Sequence, residues 1–134
     1  MATPEQELTE AYREERALYR EVLDRVDEQQ EIMDHDPNPA RVLKLCQEVE
    51  SLLEDVAGIE QRIDPIKEQW EHSGNQRPEQ LDRILEEIQQ MIEQTAGKQD
   101  RVRRELIDYV RKHQQKPTRS PTTNAHQARR AYGA

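Results

Sequence analysis

The chain has 134 residues, 33% of them apolar and 36% charged, with no Phe, one Trp, four Gly and a net charge of −8. That length fits one domain, and the composition excludes a broad, thick core, leaving a thin helical bundle or disorder. An acidic chain also speaks against binding nucleic acid, which needs a basic stripe, and against docking on an anionic membrane; it suits protein partners.

Thr3-Pro4-Glu5-Gln6 reads as a helix start, with Thr3 as N-cap, Pro4 at the first helical position and Gln6 closing a capping box. The stripe that follows is Leu8, Tyr12, Glu15, Tyr19, Val22, Val26, Gln29 and Met33, widened by Ala11, Leu18, Leu23 and Ile32. Pro37 and Pro39 end this helix near residue 35, and the compact triplet Asp34-His35-Asp36 reads as turn and cap. Asn38-Pro39 repeats the cap-then-proline device. Behind it Val42, Leu45, Val49, Leu52, Val56, Ile59, Ile63, Ile66 and Trp70 recur at spacings of three and four. Pro65 falls inside this run without breaking the register, so a kink is expected there and not a break. Gly74 can take the left-handed conformation that closes a helix near His72.

Pro78 is expected to open a third helix lasting to about Gln115, since Pro117 and Pro121 forbid extension. Its seam reads Leu81, Leu85, Ile88, Ile92, Thr95, Gln99, Val102, Leu106, Tyr109, with a small polar patch, Thr95-Ala96-Gly97-Lys98-Gln99, halfway along. The patch reads as a polar layer that sets register, or as a soft point where a partner segment inserts. Beyond Gln115 the periodicity stops. Lys116, Arg119, Arg129 and Arg130 stand there without an acid, so the body carries 16 basic against 28 acidic residues, a net of −12. A flexible tail over 116–134 is expected. Asn124 could cap a short helix, Ala125 to Tyr132, in which Tyr132 anchors a partner while Arg129 and Arg130 meet an acidic surface.

Short links between helices of 30-odd residues force antiparallel neighbours. The expected fold is therefore all-α: an antiparallel up-down-up three-helix coiled-coil bundle over 4–115, with helices at about 4–35, 39–72 and 78–115 and a C-terminal tail. Doublets such as Leu52/Leu53, Ile84/Leu85 and Met91/Ile92 give each stripe the width that two neighbours require. Both a monomer and a dimeric or domain-swapped bundle satisfy this pattern.

The motifs of catalysis are missing from the sequence. His35 and His72 fall at opposite ends of a helix, and no Glu-x-x-His, His-Glu-x-x-His, Cys-x-x-Cys or glycine-rich phosphate loop occurs. No enzyme activity, cofactor or metal is expected. The lone Cys46 rules out an internal disulfide, fits a reducing cytoplasm and reads as a small buried hydrophobe. Met1 leads straight into the first cap, so no secretory leader is expected, and no apolar run approaches the ~18 residues of a membrane span.

Three features carry a resemblance: Leu18-x3-Val22-Leu23, the run Val49-x2-Leu52-Leu53-x2-Val56-x2-Ile59, and the ending Ala131-Tyr132-Gly133-Ala134. With the acidic three-helix layout, they resemble the FlgN family of flagellar export chaperones. Members commonly carry an asparagine midway along the last helix, where this chain has Gln99. The resemblance implies a cytoplasmic chaperone that holds hook-associated (hook-filament junction) proteins and delivers them to the flagellar type III export apparatus. It places the client on the end of the last helix and the tail, here Leu106, Ile107, Tyr109, Val110 and Tyr132, beside Arg129 and Arg130. The competing reading is a structural coiled-coil subunit or adaptor of a larger assembly.

Overall fold

A cap followed by proline fixes where each of the first two helices begins. In the computed structural model, which describes residues 2–74 and 76–115, α1 spans Pro4–His35, α2 Pro39–Ser73 and α3 Glu79–Gln115. Thr3 Oγ1 accepts from the Gln6 N–H at 3.2 Å, and Gln6 Oε1 accepts from the Thr3 N–H at 3.0 Å. Asn38 Oδ1 accepts from the Arg41 N–H at 3.2 Å. Gly74 takes the left-handed conformation, φ 74°, and closes α2 one residue beyond His72. Pro78 stands one place earlier than expected: its carbonyl accepts from the Asp82 N–H at 3.1 Å. It caps α3 instead of occupying the first helical position.

Cross-helix polar pairs fix direction and register. Arg25 reaches Glu48 and Arg62 reaches Glu14, so α2 runs antiparallel to α1. Arg16 reaches Glu87 and Lys98 reaches Asp27, so α3 runs parallel to it. The molecule is thus an all-α, up-down-up three-helix bundle. Three apolar clusters follow one another along it: Leu8, Ala11, Ile59, Ile63 and Leu81 at one end; Val22, Val26 and Val49 in the middle; Ile32, Met33, Val42, Leu45 and Val102 at the other end. Each Leu, Ile, Val or Met among them contributes about 1.5–3 kcal/mol on leaving water, so these narrow clusters supply the main cohesive force of a chain that is otherwise mostly solvated.

The bundle is not equally closed on its three edges. α1 packs along both other helices, whereas α2 and α3 meet only glancingly. α2 passes through Pro65 as one continuous helix. No helix among the described residues is long and apolar enough to cross a membrane.

Candidate protein-binding site

Along the open edge, α3 does not bury the residues expected of it. Of the doublets Ile84/Leu85 and Met91/Ile92, the first member is buried in each case. Leu81, Ile88, Thr95 and Val102 of the expected seam are buried, but at the two intervening positions the inward residue is Ile84 and Met91 in place of Leu85 and Ile92. Glu87, Lys98 and Glu105 reach α1 from one flank of α3. With Ile84 and Met91 inward, Leu85 is half-buried and Ile92 38% exposed on the opposite flank.

Two cavities in the α2–α3 cleft have α1 as their floor. One, of about 220 Å³, is lined by Leu8 and Tyr12 of α1, Lys67 and Trp70 of α2, and Leu81 and Leu85 of α3, with Arg77 at its mouth. The other, of about 210 Å³ at the far end, lies among Gln29, Val42, Cys46, Gln99, Val102 and Leu106, with Arg103 alongside. Cys46 is half-buried here instead of enclosed, and Gln29 Nε2 stands 3.1 Å from its sulfur and 2.9 Å from the Val42 carbonyl.

Between the two cavities the floor is polar. Glu15 occupies an apolar slot of the α1 stripe and is 3% exposed, with Oε1 sealed from solvent and facing no donor among the described residues. Burial pushes its carboxyl up to about 8, helped by a hydrogen bond to Glu60 and by the charge of Glu60. Burial also raises the phenols of Tyr12 and Tyr19. For Tyr12 the charges of Glu60, Glu15 and Asp64 add to this and Arg77 opposes it; for Tyr19 the charges of Glu15 and Glu60 add. Of the polar patch on α3, Thr95 is buried, and its hydroxyl has no hydrogen-bond partner among the described residues.

The surface expected at the end of α3 is partly assembled. Ile107 is 45% exposed and Leu106 and Val110 are half-buried, bordering a shallow cavity of about 310 Å³ with Arg111 and Gln114. Tyr109 points the other way, packing with Leu106 on the Ile32–Val42 cluster and stacking on His113 at 3.9 Å. Arg129, Arg130 and Tyr132 lie outside the described residues, as does the short helix expected at 125–132. Leu53, Leu85 and Ile92 were legible only as members of doublets; sequence spacing alone does not say which member faces out.

Apolar side chains left exposed along one cleft and one helix end are chemically suited to gripping another polypeptide. Among the described residues no three His, Cys, Asp or Glu side chains converge as a metal site would require. Comparison with protein-family models, curated proteins and solved structures gives no match.

Proposed function

We propose that this protein is a helical chaperone that holds another polypeptide on the end of α3. The observation that carries the reading is the exposed Ile107 flanked by the half-buried Leu106 and Val110, on a helix whose opposite face is already spent on α1 and α2. Such a surface is stable only when small or covered, and an amphipathic segment of a client covers it without requiring the bundle to open. The resemblance to the FlgN family makes hook-filament junction proteins the first clients to test, with the flagellar export apparatus as the destination and the cytoplasm as the place of action. The basic residues Arg129 and Arg130 with Tyr132 would supply a second contact.

The experiment is a pull-down of purified hook-associated proteins by the full chain, by Ile107→Glu/Val110→Glu, and by a chain lacking 116–134. The reading expects recovery by the full chain, and loss with the double substitution. Background recovery of every junction protein by the full chain contradicts it. A stable higher oligomer in light scattering, dissolved by the same double substitution, supports the structural-subunit reading instead.

A further inference from the structure

Two of the three edges of the bundle are tied by ion pairs that cross between helices. The α1–α2 edge has Arg25–Glu48 and Arg62–Glu14; the α1–α3 edge has Arg16–Glu87 and Lys98–Asp27. Among the described residues the α2–α3 edge has none. Its α2 rim nevertheless carries Glu50, Glu60, Asp64 and Glu71, all exposed and none of them ion-paired among the described residues. Glu50, Asp64 and Glu71 lie in one row, seven residues or twice seven apart, beside the row of Cys46, Leu53, Glu60 and Lys67. The α3 rim opposite is largely uncharged: Leu85, Gln89, Ile92, Ala96 and Gln99, with Arg103 toward one end. Leu53, 40% exposed, and Ile92, 38% exposed, stand between the two cavities. Below them the buried Glu15 carboxyl presents an oxygen that no donor meets.

We infer that the α2–α3 cleft receives an additional amphipathic helix from a protein partner, with apolar side chains on Leu53, Leu85 and Ile92 and with lysines or arginines against Glu50, Glu60 and Asp64. Charge complementarity selects this occupant. An acidic flank would face like charges along α2, whereas a basic flank gives this edge the cross-helix pairs that the other two already have. A cation beside Glu60 also lies next to Glu15, the one buried carboxyl of the floor. The inference rests on the reading of the chain as a polypeptide binder, but it concerns the length of the cleft and not the end of α3.

Trp70, the single tryptophan, lines the cleft and reports occupancy by its fluorescence. The probes are a designed helical peptide of about 20 residues, ~30 Å long, with a leucine face flanked by lysines, and its twin with glutamates in place of the lysines. The lysine peptide is expected to shift Trp70 emission saturably in the full chain and to bind at least about tenfold more tightly than the twin. Glu50→Gln/Glu60→Gln/Asp64→Asn abolishes that preference, whereas Asp24→Asn/Glu28→Gln/Glu31→Gln, with the same charge change away from the cleft, retains it. Leu53→Ser/Ile92→Ser weakens both peptides about tenfold. Equal binding of the two peptides, or equal effects of the two charge variants, overturns the inference. So does a dimer that excludes the peptide, which would give the cleft to a second copy, or binding seen only after removal of 116–134, which would give it to the chain's own end. Loss of client recovery with Ile107→Glu/Val110→Glu while the lysine peptide still binds separates the two surfaces.

Discussion

Glu15 is the residue at which the cost of this fold is most visible. A carboxyl only 3% exposed is tolerated because it keeps its proton: its folded value lies near 8, against an ordinary 4.5. The folded chain therefore binds a proton that the unfolded chain has released, and stability must fall as pH rises between these values. The contribution is fully present below about pH 4.5, declines by at most about 1.4 kcal/mol per pH unit, and is gone above about pH 8. The titratable groups that interact with it are Glu60 of α2 and Tyr12 and Tyr19 of α1, while Asp64 and Arg77 act on Tyr12. Urea unfolding of the wild type and of Glu15→Gln at pH 5, 6.5 and 8 tests this. The difference should grow with pH in favour of Glu15→Gln, and a difference independent of pH would refute it. The position of Glu15 in the stripe was plain from its spacing. Its pairing with Glu60 was not, because heptads do not fix how two helices slide past each other.

At the scale of the helix, starts and stops were legible because capping chemistry is local. Thr3 and Asn38 act through bonds to residues within a turn and Gly74 through its own left-handed backbone, so neighbouring sequence suffices to place them. Pro78 was misplaced by one residue because its fixed φ is compatible with both the first helical residue and the extended residue just before it. Pro65 lies inside continuous helix, where it removes one backbone donor and crowds the preceding turn. Pro65→Ala should raise stability by about 1–3 kcal/mol, read as a higher urea midpoint at an unchanged slope; an unchanged midpoint would mean that packing already absorbs the proline. Gly58 and Gly97 are helical, and a Cβ built at either meets nothing within 4 Å. Gly58→Ala and Gly97→Ala should each stabilise by about 1 kcal/mol and add when combined. If Gly97→Ala instead weakens partner binding while stabilising the chain, the patch Thr95–Gln99 is a contact and not only a register layer.

For the whole molecule, the three-helix architecture could be read from period and link length, but the unequal edges could not. Doublets such as Met91/Ile92 permit either member to face the core, and the choice is made by packing against α1, residues seventy-odd positions away in sequence, where Lys98 also meets Asp27. That choice leaves Leu85 half-buried and Ile92 exposed, near the exposed Leu53 of α2, with Ile107 exposed at the end of α3. Ile107→Glu, at a position 45% exposed, should change stability by no more than about 0.5 kcal/mol while removing client contact, so melting temperature and binding separate. The most direct test is hydrogen–deuterium exchange of the full chain with and without a bound junction protein. Added protection should concentrate on α3 from Leu106 to Gln114 and along the facing rims of α2 and α3, with the outer face of α1 unchanged. Protection confined to the outer face of α1, or none at saturating client, would contradict a chain built to hold another polypeptide on its open edge.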